Sequence, residues 1–241
     1  MNVYSVSTPG ELLSGNSYPG RGIVLGCTPG GKHAVSAYFI MGRSDNSRNR
    51  VFTLRNGELF TEPFDASKVE DPSLIIYAAL RTFENKLIVT NGDQTDTVYQ
   101  ALEQGKDFAA GLRQRCFEPD SPNFTPRISG MVTFEDGGFS YALSILKSAD
   151  PEGGACSRYF YEYPAVPGVG QFIHTYIGDG SPLPTFCGEP ERMTMDDSID
   201  AFTADLWNNL DENNRISLYV RYTNPADGSY AERLINKHAE V

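Results

Sequence analysis

The sequence predicts an α+β domain built in stacked layers. Strand-like stretches come in runs, and helix-like stretches gather at about residues 95–116 and 195–210. The regular strand–helix alternation of a doubly wound sheet is missing. Two antiparallel sheets packed face to face, with helices outside, would use these elements. A length of 241 residues suffices for one domain with a sizeable core. We read 1–241 as a single domain with an N-terminal arm over 1–17 and a polar tail over 224–241.

The elements follow in order. Residues 1–20 read as a partly extended arm with turns at Pro9-Gly10 and Pro19-Gly20. Gly22 to Gly26 is a short buried strand, and Ala34 to Met41, AVSAYFIM, is a second, β-branched and aromatic. The segment between them, Gly26 to Lys32, matches the start of a phosphate-binding loop, G-x-x-x-x-G-K. His33 then stands where Ser or Thr should bind magnesium, and a strand follows where a helix is needed. A hairpin turn is the better reading.

Val51 to Leu54 and Leu59 to Phe64 form a hairpin around Asn56-Gly57. Leu74 to Leu80 is a short apolar run that fits strand or helix. Lys86 to Thr90 is a strand running into a glycine turn, where Thr95 or Asp96 can cap a helix bearing Val98 and Leu102. Gly105 ends that helix, and Asp107 can cap another with Phe108, Leu112 and Cys116 in line. Cys116 to Arg127 is irregular and punctuated by prolines. Strands follow at Ile128 to Phe134, Phe139 to Lys147 and Arg158 to Tyr163, then a Pro/Gly loop. Met195 to Leu210 is an amphipathic helix, and Ile216 to Tyr222 a last long strand.

Composition narrows the function. A net charge of −11 argues against a nucleic-acid partner, which usually meets a basic face. No run of roughly 18 apolar residues occurs, so no membrane-spanning helix is expected. The N-terminus lacks the basic start and apolar middle of a signal peptide, which points to the cytoplasm. Cys27, Cys116, Cys156 and Cys187 form no Cys-x-x-Cys pair and read as free thiols. His33, His174 and His238 show no metal-ligand spacing, so neither metal nor other cofactor is expected.

Against that acidic background, Met41 to Phe52, MGRSDNSRNRVF, stands out. It places Arg43, Arg48 and Arg50 in one polar loop between two strands. An acidic protein repels anions at long range, so a local arginine cluster is where an anion would be held. The guanidinium fork suits phosphate and carboxylate in a way that lysine does not. The alternative is a solvated loop with surface arginines. Glu118, between Phe117 and Pro119, is either exposed or desolvated, and desolvation would raise its pKa toward an acid–base role. Tyr77 is either a core aromatic or a site hydroxyl.

Five stretches taken together carry a family likeness: SYPGRGIV (Ser17 to Val24), YFIMGRSDNSRNRVF, LIIYAALR, IVTNGDQTDT and FEPDSPNFTPRI (Phe117 to Ile128). In these residues, and in their order, the chain resembles the archaeal-type IMP cyclohydrolases over about residues 18–177. The resemblance implies a four-layer αββα sandwich similar to the N-terminal-nucleophile hydrolases, without their processed nucleophile. Met1-Asn2 agrees, offering no Ser, Thr or Cys. It also implies closure of a formamido-imidazole-carboxamide ribonucleotide to IMP with loss of water, and a homo-oligomer. The archaeal enzymes are shorter, and their spacing around Glu118 differs by about one residue.

The chemistry suits such residues. A carboxamide nitrogen must attack a formyl carbon in the same molecule, and orientation can supply roughly 7–11 kcal/mol. Charge builds on the formyl oxygen, where one well-placed donor contributes about 2.7–4 kcal/mol. The resemblance implies Arg50 as that donor, Tyr77 as donor or proton relay, and Glu118 as the group that orients or deprotonates the amide. Arg21, Arg43 and Arg127 become candidates for phosphate and ribose. Asn91, Gly92, Thr95 and Asp96 become candidates for the wall holding the base. A non-catalytic nucleotide-binding protein on the same scaffold would keep the arginines. An amide hydrolase is disfavoured by the missing nucleophile.

Overall fold

The computed structural model describes residues 4–69 and 76–239. Met1, Asn2, Leu74 and Ile75 lie outside the described residues.

The chain begins with helix α1 (Pro9–Leu13), then strands β1 (Arg21–Cys27) and β2 (Ala34–Met41). The polar loop holds a short helix, α2 (Asp45–Arg48). A meander follows, β3 (Val51–Arg55), β4 (Glu58–Glu62), β5 (Tyr77–Phe83) and β6 (Lys86–Thr90). Helices α3 (Gln94–Glu103) and α4 (Phe108–Leu112) interrupt it before β7 (Arg127–Glu135), β8 (Gly138–Ser148) and β9 (Cys156–Pro164). The chain then adds β10 (Val169–His174), β11 (Glu191–Thr194), α5 (Ile199–Asn209), β12 (Arg215–Thr223) and β13 (Tyr230–Asn236).

Two sheets result. One has six strands in the order β11-β10-β1-β2-β12-β13, the other seven in sequence order from β3 to β9. The named strands pair antiparallel throughout. β2 explains how the layers stack. Side chains alternate across a strand, and both faces of this one are buried. Tyr38 and Ile40 enter a core shared with Leu80, Leu87, Val89, Ile128 and Leu143 of the other sheet. Val35, Ala37, Phe39 and Met41 point the opposite way, onto Leu13 of α1 and Phe202, Leu206 and Trp207 of α5. On the outside of the seven-stranded sheet, Val98 and Leu102 of α3 and Phe108 and Leu112 of α4 cover Ile88. The expected α+β class with two antiparallel sheets holds.

Local signals account for several turns. Asn56 and Gly57 both take positive φ, 53° and 77°, as the tight β3–β4 hairpin requires. Thr28 to His33 form the β1–β2 connection, as the hairpin reading expected, with Gly26 and Cys27 still in β1. The run from Leu74 is resolved as strand from Tyr77 onward.

Other expectations need correction. Pro9-Gly10 is not a turn: Pro9 is the first residue of α1, and Thr8 and Glu11 close a reciprocal capping box. The cap residue of α3 is Asp93 rather than Thr95 or Asp96, and its side chain makes no capping bond. The polar stretch from Asn224 contains β13, which pairs with β12 along the sheet edge. Asn236 at its end trades two 2.9 Å hydrogen bonds with the backbone of Phe52. β10 and β11 were also unforeseen. Gly170 of the Pro/Gly loop lies inside β10 opposite Gly26 of β1. A Cβ on Gly26 would sit 2.5 Å from the Gly170 Cα, so the strands approach more closely there than side chains permit.

Candidate active site

The polar loop between β2 and β3 folds back on itself. Ser44 and Ser47 cap α2 reciprocally, the Ser44 backbone N–H bonded to the Ser47 hydroxyl at 3.0 Å and the Ser47 N–H to the Ser44 hydroxyl at 3.2 Å. Arg50 closes the loop from below: Nε donates to the Ser47 carbonyl at 2.7 Å and Nη2 to the Met41 carbonyl at 3.0 Å. Arg50 is only 2% exposed, and no carboxylate among the described residues pairs with it within 4 Å. Burial, then repulsion from Arg21, lowers its pKa. A buried cation without a carboxylate is costly unless something anionic completes it.

Beside this loop is a cavity of about 300 Å³, at the lower end of the range for small-molecule sites. Its walls come from distant parts of the chain. Arg43, Ser44, Asn46, Ser47 and Arg50 line one side. Tyr18 and Arg21 enter from the N-terminal side, Glu118, Asp120, Asn123 and Thr125 from the irregular segment before β7, and Tyr176 and Leu183 from beyond β10.

Arg21 is held at the head of β1 by its predecessor. Gly20 has φ +81°, and a Cβ there would collide with Thr175 Oγ1, the atom that accepts the Arg21 backbone N–H at 3.1 Å. Arg21 Nη2 lies 3.9 Å from Glu118 Oε2. Its Nε is buried without a hydrogen-bond partner among the described residues. Burial alone would depress the Arg21 pKa, but Glu118 and three tyrosines hold it above the ordinary value. Glu118 is 3% exposed. Burial raises its pKa despite the opposing pull of Arg21 and Arg127. The desolvated alternative for Glu118 is the one the structure adopts.

Tyr77 stands behind these groups, close enough to influence the ionisation of both Arg21 and Arg50. Its hydroxyl shares a 2.8 Å hydrogen bond with that of Tyr38. Arg43 is at the rim, half-exposed, paired with Asp179 and the Gly180 carbonyl and lying 5.0 Å from the Tyr18 ring centroid. Arg48, from the same cluster, turns away to the Gly42 carbonyl and Asn214.

The remaining expected residues are not on the cavity wall; of these, Gly92 lies beside Glu118, where an added Cβ would sit 3.5 Å from its Oε1. Asn91 Oδ1 accepts from Ile128 N and Gln94 Nε2, both at 2.9 Å, and its amide donates to the Pro126 carbonyl. Thr95 Oγ1 bonds Thr90 Oγ1 and the Gly92 carbonyl. Arg127 Nη1 donates to Asp93 and Gln94 at 2.7 Å each. Gly92 leaves room for that contact, since a Cβ would sit 2.7 Å from Arg127 Nη1. Asp96 pairs with Arg81.

Sequence reasoning missed one wall of the cavity. Asp120 accepts from the Thr125 backbone N–H at 2.6 Å and from its hydroxyl, and that hydroxyl bonds the Tyr176 phenol at 2.5 Å. Burial pushes the Tyr176 pKa up to about 12. Tyr18 stacks on Tyr176, ring centroids 5.9 Å apart. Asp120 and Thr125 lie in the quoted stretch FEPDSPNFTPRI, but no local pattern pairs them with Tyr176. Among the described residues, no cluster of His, Cys, Asp or Glu side chains is arranged to hold a metal, and no helix is long and apolar enough to cross a membrane.

The cavity thus sets arginine donors, a carboxyl with a raised pKa and a phenol around one small space. Comparisons with known proteins bear on it. A family model described as IMP cyclohydrolase-like protein matches residues 18–228. The chain is 32% identical over 120 residues to an IMP cyclohydrolase of Methanothrix thermoacetophila, covering 48% of this chain and 58% of that protein. It is 31% identical over 164 residues to one from Methanopyrus kandleri, covering 62% and 78%. A Methanocella arvoryzae IMP cyclohydrolase matches at 31% over 120 residues, covering 48% and 58%. The chain therefore spans less than two thirds of two of these relatives and more than that of the third.

Proposed function

The chain belongs to the IMP cyclohydrolase-like family, and from that premise we propose that it closes 5-formamidoimidazole-4-carboxamide ribonucleotide to IMP with loss of water. The supporting observation is the meeting of Arg21, Arg50 and Glu118, from three separate stretches, on one cavity, with Tyr77 close behind the two arginines. Their chemistry matches the steps. Arg50, with Nε and Nη2 already fixed on backbone carbonyls, presents a rigid guanidinium to the developing oxyanion. Glu118, buried and raised in pKa, orients the carboxamide and takes its proton. Tyr77 donates toward the formyl oxygen, Glu118 returns the amide proton to that oxygen so that it leaves as water, and the formamido N–H proton restores Tyr77. Arg21 keeps Glu118 in place, and Arg43 at the rim receives the phosphate. Asn91 and Arg127 then act from behind, by holding the end of the segment that carries Glu118, while Gly92, Thr95 and Asp96 shape the turn and helix that support them.

This reading treats the layered arrangement as the αββα sandwich of the N-terminal-nucleophile hydrolases put to a non-hydrolytic use. It also makes the protein a cytoplasmic homo-oligomer, which light scattering would check. The central test is incubation of purified protein with the formamido ribonucleotide, following IMP by chromatography. Steady turnover is expected. Binding of the nucleotide without turnover would make this a nucleotide-binding protein instead.

A further inference from the structure

Tyr77 stands behind the cavity wall, and a second tyrosine is bonded to it. Tyr38 sits in β2 of one sheet and Tyr77 in β5 of the other, so their 2.8 Å hydroxyl–hydroxyl bond bridges the two sheets. Tyr38 is fully buried in the core between them, its ring 5.3 Å from that of Phe52. Among the described residues its hydroxyl has a single hydrogen-bond partner, Tyr77. The cations that influence its ionisation, Arg21 and Arg50, are donors and offer no lone pair.

This decides where the protons point. Two hydroxyls hold two protons, and one proton occupies the shared bond. If Tyr77 donated, the Tyr38 proton would be left in an apolar core with nothing to accept it, at the full cost of a buried unsatisfied donor. If Tyr38 donates, its proton is satisfied and the Tyr77 proton is the one left free, on the hydroxyl that acts more strongly on Arg21 and Arg50 and whose residue keeps 5% exposure against none for Tyr38. We propose that Tyr38 is a positioning residue: by donating to Tyr77 it fixes the Tyr77 hydroxyl as a donor toward the reacting oxygen. The proposal rests on the function argued above and adds a residue that does not touch substrate.

The test is steady-state kinetics with the formamido ribonucleotide on Tyr38→Phe, Tyr77→Phe and the double variant. Tyr38→Phe should lower kcat about tenfold, the worth of one oriented hydrogen bond, with KM within about twofold of the parent. The double variant should be no slower than Tyr77→Phe, because Tyr38 acts only through Tyr77. A kcat for Tyr38→Phe within about twofold of the parent overturns the proposal. So does a Tyr38→Phe penalty that persists in full on the Tyr77→Phe background, since that marks a general packing defect. If the parent itself fails to close the ring, the functional reading falls and the bond direction is read separately. Ultraviolet resonance Raman reports whether a phenol donates or accepts through its ring doublet. The signal lost in Tyr38→Phe should carry the donor pattern, and an acceptor pattern overturns the proposal.

Discussion

Arg21 and Glu118 stand 3.9 Å apart at the cavity, both largely withdrawn from solvent. The separation is too long for a hydrogen bond. The attraction lowers the Glu118 pKa, yet burial outweighs it and the net direction is upward. A carboxyl set this way can exchange a proton nearer to neutral pH than an exposed one.

That direction gives a pH prediction. If Glu118 takes the amide proton, kcat/KM should rise with pH through a limb lying above the ordinary carboxylate range. Glu118→Gln should lower the rate and abolish the limb. A parent profile flat across the acid side, or the same limb in the variant, would remove Glu118 from this role. Stability carries a definite sign as well. Because the folded pKa is raised, the contribution of Glu118 is fully present below the unfolded value and is lost as pH rises through the folded one. The melting temperature of the parent minus that of Glu118→Gln should therefore be larger at acid than at neutral pH.

The two arginines facing the cavity from the loop should separate kinetically. Arg50→Lys keeps the charge but cannot hold both carbonyls and an oxyanion in one plane. Its kcat should fall by about 10²–10³-fold, with IMP binding by calorimetry nearly unchanged. Arg43 is half-exposed and already paired with Asp179. Arg43→Lys should mainly raise KM, by about tenfold at most, with little change in melting temperature. Equal kcat in both variants and the parent would make the loop a phosphate clamp alone.

Asn91 tests whether the inner group touches the nucleotide. Its side chain makes three hydrogen bonds inside the fold. Asn91→Ala strands those partners, and each buried unsatisfied group costs about 1–3 kcal/mol. Denaturant titration should show that loss, while IMP affinity of the folded protein stays near the parent value. A large affinity loss without destabilisation would return Asn91 to the binding wall.

Strong chelators should leave turnover unchanged, since the chemistry proposed runs through arginine, tyrosine and carboxyl groups and no donor cluster for a metal occurs among the described residues. Inhibition by chelation, reversed by a divalent ion, would overturn that mechanism.

The residues of this chain determine much by themselves. Asn56-Gly57 specifies its hairpin because both positions need positive φ. The two-sided apolar run Ala34 to Met41 demands cover on both faces, and the protein supplies it with a sheet and with helices. The arginine loop is visible as charge against an acidic background. Other features were absent from any local pattern. β10, β11 and β13 are shown to be strands by their partners, because they lack the strong apolar runs that mark β1 and β2. Arg48 and Arg50 are two residues apart, yet one turns to Asn214 and the other beneath the loop. Tyr176 reaches Thr125 only because strands far apart in sequence end at the same place. Sequence carries backbone period and turn chemistry, which act over a few residues. The direction of a side chain into a cavity depends on sheet register and on partners far away along the chain, and only the packed tertiary structure decides those.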